Sequence, residues 1–239
     1  MSDEEREGMS GSAGSEIDSS PADERIVVLI VDDDSWTTRA VAAALFDDGG
    51  FSVLEPQHSG EDAVEAFDRH RPDLVLMDVN MHPGMSGVDA AREIMCLDPE
   101  ATIVVLTTVS PGPGITRALE AGAIAAVNKS ATDAELVRVA RAAVAGESPA
   151  LLRSLAEDIM ISGDIAADGS SAVPALTPSE KLLLRQICEG MDYSEIAEQQ
   201  VVSVYTVKSH ARNLRIKLDA KNLAQVVIRA IQHKFYVPE

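Results

Sequence analysis

The stretch LVLMDVN, from Leu74 to Asn80, is the strongest indication of the fold of this chain. Its four consecutive apolar residues leave no polar face, which indicates a strand covered on both sides. A single carboxylate, Asp78, ends the run, and the chain then continues through the loop MHPGMSG. A charge at the end of a buried strand costs free energy unless it has a partner. The strand is therefore expected to deliver Asp78 to a polar site.

Similar apolar runs recur up to residue 147 and alternate with helical patterns. In order, the runs are RIVVLIV, FSVLE, LVLM, ATIVVLT and AIAAVN. Helix starts are marked by Ser59 and Thr132, and the fourth helix, ITRALEAG, stops at Gly122. Five strands alternating with five helices predict an α/β fold, a doubly wound five-stranded parallel sheet. In such sheets a ligand site forms at the carboxyl ends of the strands.

The regions outside and after this α/β segment differ from it in amino-acid composition and residue pattern. We expect a disordered acidic tail over 1–25, the α/β domain over 26–147 and a linker over 148–175, with one short helix from Pro149 to about Met160. Residues 176–239 are expected to form a small all-α domain of four helices. Thr177 begins the first of them within TPSE, and Ser203 caps VYTVKSHARNLRIKL.

The charge of the chain is distributed unevenly. The net charge is −19, which taken as a whole argues against nucleic acid. From Leu176 onward, however, nine basic and seven acidic residues give a charge of +2, against −21 for the residues before it. The longest apolar run, IVVLIV, is far below the roughly 18 residues of a membrane span. The sequence predicts a cytoplasmic protein whose Cys96 and Cys188 are reduced thiols.

Polar side chains stand at the ends of four predicted strands. They are Asp32, Asp33 and Asp34 after the first strand, Asp78 at the end of the third, Thr107 at the end of the fourth and Lys129 after the fifth. Each residue type alone is common as a cap, a turn residue or a solvated side chain. With a strand order of 2-1-3-4-5, all of them would meet at one edge of the sheet.

The chemistry of these side chains suits a metal ion and a phosphoryl group. Clustered carboxylates repel one another unless a cation is bound, and an oxygen-only set of ligands suits Mg²⁺. A hydroxyl and an ammonium group beside it would bind a phosphoryl group, for which a carboxylate can be the nucleophile.

This half of the chain resembles the receiver domain of two-component response regulators, which has a flavodoxin-like fold. The motifs that carry the resemblance are VLIVDDD, LVLMDVNM, VVLTT and AVNK. The resemblance implies Asp32 and Asp33 as the acidic pair, Asp78 as the phosphoacceptor, Thr107 and Lys129 as phosphoryl ligands, and the main-chain carbonyl of Asn80 as a further Mg²⁺ ligand. It also implies a sensor histidine kinase as partner.

Three departures from the receiver pattern keep an alternative open. His82 is an extra residue between Met81 and Pro83, Ala126 replaces a frequent aromatic, and VSPGPG precedes the fourth helix. The alternative is a DNA-binding regulator whose receiver-like domain mediates dimerisation or ligand sensing without phosphorylation.

A second alternative belongs to a different class. Asp32 and Asp34 are spaced as in the first motif of haloacid-dehalogenase-type phosphatases, but Trp36 stands where Thr or Val is usual and a late acidic pair is missing. Trapping a phosphoryl group on Asp78 or on Asp32 would distinguish the receiver from the phosphatase.

The helix VYTVKSHARNLRIKL combines a buried face with a basic face. Apolar residues recur at steps of three and four, and Lys208, Arg212 and Arg215 follow the same steps on another face. Such a helix fits the major groove of DNA. The segment 176–235 resembles the LuxR/NarL-type helix-turn-helix domain. The residues expected at the DNA are Thr206, Lys208, Ser209, His210, Arg212, Arg215 and Lys217. The combination implies a response regulator that controls transcription and forms a homodimer on half-sites when activated.

Overall fold

The computed structural model describes residues 25–108, 114–146, 151–153, 156–157 and 173–237. In the first part, strands and helices alternate as β1 (Ile26–Val31), α1 (Ser35–Asp48), β2 (Phe51–Val53), α2 (Gly60–His70), β3 (Leu74–Asp78), α3 (Gly87–Leu97), β4 (Ile103–Thr107), α4 (Ile115–Ala121), β5 (Ala125–Asn128) and α5 (Asp133–Val144). The later elements are α6 (Pro178–Cys188), α7 (Tyr193–Gln200), α8 (Val204–Lys217) and α9 (Leu223–Gln232).

The five strands form one parallel sheet in the order β2-β1-β3-β4-β5, which confirms the predicted α/β fold. The three central strands are almost entirely buried, as their continuous apolar runs predict. Helices α1 and α5 pack on one face of the sheet, and α2, α3 and α4 pack on the other.

The second strand is shorter than the sequence predicts. It ends at Val53 instead of Glu55, because Pro56 has no N–H group to continue the ladder. The chain rejoins β1 afterwards, where the N–H of Gln57 donates to the carbonyl of Ile30 at 2.9 Å. This return positions the residues after Gln57 beside the end of β1.

The predicted helix boundaries agree closely with the structure. The hydroxyls of Ser59, Thr132, Thr177 and Ser203 each accept a hydrogen bond from the first turn of the helix that follows. Gly122 ends α4 with φ of 128°, a conformation that side chains with a Cβ rarely adopt. Helix α4 itself has only seven residues. Residues 109–113, which include most of the VSPGPG loop, lie outside the described residues.

The last four helices pack on one another as the expected all-α region, and their buried apolar residues are continuous with those on the α2, α3 and α4 face of the sheet. The expected linker helix falls largely outside the described residues, although residues 151–153 and 156–157 are helical. The expected tail over 1–25 is outside them except for Arg25. Cys96 and Cys188 are free, the first exposed and the second buried. Within the described residues, each helix is too short or too polar to span a lipid bilayer.

Candidate functional site

Three carboxylates meet at the carboxyl edge of the sheet. Val31 at the end of β1 pairs with Met77 of β3, so the next residues, Asp32 and Asp78, are neighbours. Asp32, Asp33 and Asp78 each offer an oxygen within 4.8 Å of the other two. Asp32 and Asp78 are buried, whereas Asp33 is exposed. The cluster is thus built into the sheet and open to solvent on one side.

Lys129 supplies the positive charge that this cluster needs. Its main-chain N–H donates to the carbonyl of Thr107 at 2.7 Å, which aligns the end of β5 with the end of β4. Its Nζ lies 2.6 Å from Oδ2 of Asp32 and 3.1 Å from Oδ2 of Asp78. Burial would lower the pKa of Lys129, but the hydrogen bond to Asp32 and the charge of Asp78 outweigh it and raise that pKa. The ammonium group is therefore held in its charged form.

Asp32 is the most enclosed of the three carboxylates. Burial raises its pKa above the usual range, although the hydrogen bonds from Lys129 and from the N–H of Asp34 act in the opposite direction. The N–H of Asp34 donates to Oδ1 of Asp32 at 2.9 Å. The raised pKa shows that one ammonium group does not fully offset the cost of burying this charge among other carboxylates.

Asp34 has a separate role from the other two members of the DDD run. Its side chain caps α1 by accepting hydrogen bonds from the N–H of Trp36 and the hydroxyl of Thr37, at 3.0 and 2.9 Å. These bonds hold the pKa of Asp34 below its usual range. From the sequence, any of the three aspartates could have been a helix cap. The structure shows that Asp34 caps α1, whereas Asp32 and Asp33 lie in the acidic cluster with Asp78.

The other two residues predicted for this edge are also placed there. Thr107 is buried at the end of β4, one strand away from Asp78. Asn80 is exposed, and its N–H donates to Oδ1 of Asp78 at 3.2 Å. Asp78 is thus held from two sides, through Oδ1 by the loop that follows it and through Oδ2 by Lys129.

The loop after Asp78 contributes contacts that the sequence did not reveal. The N–H of His82, the extra residue, lies 3.3 Å from Oδ2 of Asp33.

Two further residues near the site were not predicted from the sequence. Nδ1 of His58, in the loop after β2, lies 2.7 Å from the carbonyl oxygen of Asp32. Gly87 was also missed: a Cβ at this position would lie 1.7 Å from the carbonyl oxygen of Asp78. Only glycine permits α3 to begin so close to Asp78, and the pattern MSG carries no clear signal of that proximity.

The predicted DNA-contacting helix, α8, presents most of the expected residues to solvent. Helices α7 and α8 are joined by residues 201–203, and Val207, Ala211 and Leu214 bury one face of α8. Lys208, Ser209, His210 and Arg212 are exposed, whereas Thr206 and Arg215 are partly buried. The hydroxyl of Thr206 lies 2.8 Å from that of Ser203 at the start of the helix. With Lys217, which is also exposed, five of the seven expected residues are open to solvent.

Lys217 is engaged within the protein. Its Nζ lies 2.7 and 2.9 Å from the two carboxylate oxygens of Glu180. Glu180 also accepts a hydrogen bond from the N–H of Thr177 at 2.8 Å and completes the capping box of α6. Lys217 and Thr177 hold the pKa of Glu180 below its usual range. This pair fastens the end of α8 to the start of α6, a structural contact that the charge pattern did not predict.

Comparison with known proteins assigns these two regions to families. Residues 28–141 match the response regulator receiver domain, and residues 174–230 match the bacterial regulatory proteins of the luxR family. The chain is 31% identical over 207 residues to the transcriptional regulatory protein LiaR of Bacillus subtilis, covering 86% of this chain and 96% of the relative. It is 33% identical over 178 residues to the uncharacterized transcriptional regulatory protein YxjL of the same organism, covering 73% and 80%.

The similarity extends to solved structures. The signal receiver domain of the putative response regulator NarL from Mycobacterium tuberculosis is 27% identical, covers 52% of this chain and 98% of that chain, and has a TM-score of 0.48. The chain belongs to the response regulators that join a receiver domain to a luxR-family DNA-binding domain. Within this class it is homologous to transcriptional regulators of the NarL/LuxR group, such as LiaR.

Proposed function

We propose that a sensor histidine kinase transfers a phosphoryl group to Asp78 and that this modification controls the binding of α8 to DNA. The observation that carries the proposal is the position of Asp78, whose carboxylate is held by Lys129 and by the N–H of Asn80 next to two further carboxylates. The two carboxylate oxygens of Asp78 are thus held in place within the acidic site at the carboxyl edge of the sheet.

The transfer uses groups that already lie at this edge. One oxygen of Asp78 attacks phosphorus and forms a P–O bond, while the P–N bond to the kinase histidine breaks and its electron pair returns to the imidazole nitrogen. Lys129 would then exchange a carboxylate oxygen of Asp78 for a phosphoryl oxygen. Thr107, at the end of the adjacent strand, would donate its hydroxyl to another phosphoryl oxygen.

The donor set fits Mg²⁺. Asp32, Asp33 and Asp78 would hold the ion together with the main-chain carbonyl of Asn80, since carboxylate and carbonyl oxygens are the ligands that Mg²⁺ prefers. The raised pKa of Asp32 supports this assignment, because a buried carboxylate with excess negative charge around it gains from a divalent cation. The bound ion would neutralise charge on the phosphoryl oxygens.

The DNA interface is proposed on the exposed face of α8. Lys208, Ser209 and Arg212 would face the bases of the major groove, and His210 and Thr206 would support contacts to the backbone. Arg215 and Lys217 remain in the proposal as backbone contacts, although Lys217 would first have to leave Glu180. Two chains would bind half-sites as a homodimer. We place the protein in the cytoplasm, where DNA is available, and assign it no enzymatic role beyond its own phosphorylation.

The test is to incubate the full chain with acetyl phosphate and Mg²⁺ and to map the modification by mass spectrometry. We expect one added phosphoryl group on Asp78, none in the Asp78→Asn variant, and a change in DNA affinity in the wild type alone. Modification of Asp32 would instead indicate the phosphatase chemistry. A wild type that binds DNA equally well with and without acetyl phosphate, and equally to Asp78→Asn, would establish the phosphorylation-independent alternative.

A further inference from the structure

The loop after β2 is bound to the main chain at the end of β1 through a side chain. Nδ1 of His58 lies 2.7 Å from the carbonyl oxygen of Asp32. A carbonyl oxygen can only accept a hydrogen bond, so Nδ1 carries the proton and donates it. His58 is exposed, whereas Asp32 is buried, and the bond therefore connects a surface side chain to the acidic cluster.

This side chain donates at the point where the pairing of the two main chains stops. The N–H of Asp32 donates to the carbonyl of Gln57 at 3.0 Å, within a parallel bridge between Val31 and Gln57. In a continuing parallel ladder, the carbonyl of Asp32 would receive the next bond from the N–H of Ser59. Ser59 caps α2 instead, so the chain turns away after His58. The imidazole N–H of His58 takes the place of the missing main-chain donor.

The bond fixes the orientation of the peptide unit between Asp32 and Asp33. The carbonyl of Asp32 and the N–H of Asp33 belong to one planar unit, so a donor held against the carbonyl sets the plane of both. The Cα of Asp33 is the last atom of that unit, and the side chain starts from it. The position of the Asp33 carboxylate therefore depends on His58.

Asp33 needs such support more than its neighbours do. Oδ2 of Asp32 and Oδ2 of Asp78 lie 2.6 and 3.1 Å from Nζ of Lys129, and both aspartates are buried. Asp33 is exposed, and the contact described for its carboxylate is a hydrogen bond of 3.3 Å from the N–H of His82. Of the three carboxylates, it is thus the one held least by its own side-chain contacts.

A divalent cation makes the placement of this carboxylate important. Mg²⁺ requires near-octahedral oxygen ligands at about 2.0–2.1 Å. A ligand that is already in place binds more tightly than one that must be ordered on binding. Groups that orient a ligand without touching the metal commonly contribute roughly ten- to hundredfold in metal affinity.

We propose that His58 is a positioning residue for the metal site, which sets Asp33 for Mg²⁺ through the carbonyl of Asp32. The inference rests on the proposed function and adds to it a residue outside the acidic cluster. In this role His58 touches neither the ion nor the phosphoryl group, and it acts through a single peptide unit.

The fold around His58 is held by other contacts. His58 is exposed, so truncation of its side chain leaves no buried cavity. The cap of α2 is independent of it, because the N–H of Asp62 donates to Oγ of Ser59 at 3.1 Å. The main-chain bond between Asp32 and Gln57 does not involve the imidazole either. A loss of metal affinity in a His58 variant can therefore be separated from a loss of folding.

The experiment is a titration of the full chain with Mn²⁺, which accepts the same oxygen ligands as Mg²⁺ and whose free ion is measured by electron paramagnetic resonance. Competition with Mg²⁺ then gives the Mg²⁺ affinity. His58→Ala should weaken the binding of both ions roughly tenfold, the lower end of the range for a group that orients a metal ligand. His58→Asn should bind nearly as the wild type does, because Nδ2 of asparagine occupies the position of Nδ1 and also donates.

His70→Ala is the matched control, because His70 is an exposed histidine in the last turn of α2. It should bind both ions as the wild type does. A double variant tests whether the effect passes through Asp33. His58→Ala/Asp33→Asn should bind no more weakly than Asp33→Asn alone, since the ligand that His58 positions is then already absent.

The possible failures point to different conclusions. Wild-type metal affinity in a folded His58→Ala would overturn the inference and leave the proposed function intact. A loss of roughly tenfold on the Asp33→Asn background would also overturn it, because His58 would then act on another ligand. His58→Phe keeps a ring but lacks the donor, and it should show the same loss if His58→Ala does not fold. A wild type that binds neither ion would overturn the proposed metal site together with the inference.

Discussion

Nζ of Lys129 lies 2.6 Å from Oδ2 of Asp32, a carboxylate with no exposure to solvent. This ion pair joins the loop after β5 to the end of β1, across the intervening strands β3 and β4. The same ammonium group also reaches Asp78, so a single cation serves two buried carboxylates. The pair therefore contributes both to the stability of the receiver domain and to the chemistry proposed for it.

Removal of the ammonium group should destabilise the receiver domain. Lys129→Met would leave Asp32 buried without a counter-charge, and we expect the free energy of unfolding to fall by about 3 kcal/mol. The double variant Asp32→Asn/Lys129→Met should recover most of this loss, because the uncompensated charge is then absent. Urea unfolding with a chelator present measures both. Additive effects of the two substitutions would contradict the coupling.

The raised pKa of Asp32 predicts the direction of a pH effect on stability. Above the ordinary value of 3.8, the folded chain retains a proton on Asp32 that the unfolded chain has lost. The resulting stabilisation declines as the pH rises from 3.8 through the raised folded pKa. Asp32→Asn cannot ionise, so its stability relative to the wild type should increase over that window. Urea unfolding from pH 4 to pH 7, without divalent metal, tests this, and a decreasing difference would contradict it.

A methyl group at Gly87 should disable the site while the chain still folds. A Cβ there would meet the carbonyl oxygen of Asp78 at 1.7 Å, so the backbone of the loop or of β3 must move. We expect Gly87→Ala to lower the rate of phosphorylation by acetyl phosphate at least tenfold, since a shift of about 1 Å at a reacting group has effects of up to 100-fold.

Gly49→Ala is the control for this substitution. Gly49 has φ of 78° and nothing within 4 Å of a built Cβ, so it adds backbone strain far from the site. It should lower stability by roughly 1 kcal/mol and leave phosphorylation unchanged. Equal phosphorylation in Gly87→Ala and Gly49→Ala would show that the close approach at Asp78 is unimportant.

The basic residues of α8 should differ in their contribution to DNA binding. Lys208→Ala and Arg212→Ala should each reduce the slope of log Kobs against log salt by about 0.9 if the side chain neutralises one phosphate, and less if it contacts only bases. Lys217→Ala should reduce the slope by less than Lys208→Ala does, because Lys217 must leave Glu180 to contact a phosphate, and it should destabilise the domain by about 1 kcal/mol. Fluorescence anisotropy at several salt concentrations distinguishes them. A full unit of slope lost at Lys217 would show that it leaves Glu180 to bind DNA.

The class of fold and the edge of the sheet at which the site lies follow from local patterns in the sequence. Runs such as Leu74–Met77, apolar on both faces, require a sheet covered by helices, and parallel strands place their carboxyl ends together. Asp78, Thr107 and Lys129 follow from this rule because each stands at a strand end. The helix starts at Ser59 and Thr177 could also be predicted from the sequence, since capping depends on residues three positions apart.

Which of these residues interact with one another became clear only from the folded chain. The DDD run did not indicate that Asp34 caps α1 while Asp32 pairs with Lys129, because that choice depends on the path of the chain after β5. The sequence also did not indicate that His58 lies beside Asp32, 26 residues away, or that the loop after Asp78 folds back to place Gly87 against the carbonyl oxygen of Asp78.

A contact between α4 and α9 has the same origin. Asn222 reads in the sequence only as the start of a helix, yet its amide group also donates to Gly122, a hundred residues away. Residue spacing within a segment predicts the hydrogen bonds that the segment forms with itself, such as a helix cap. It does not predict hydrogen bonds to other elements, because those depend on how the elements pack together.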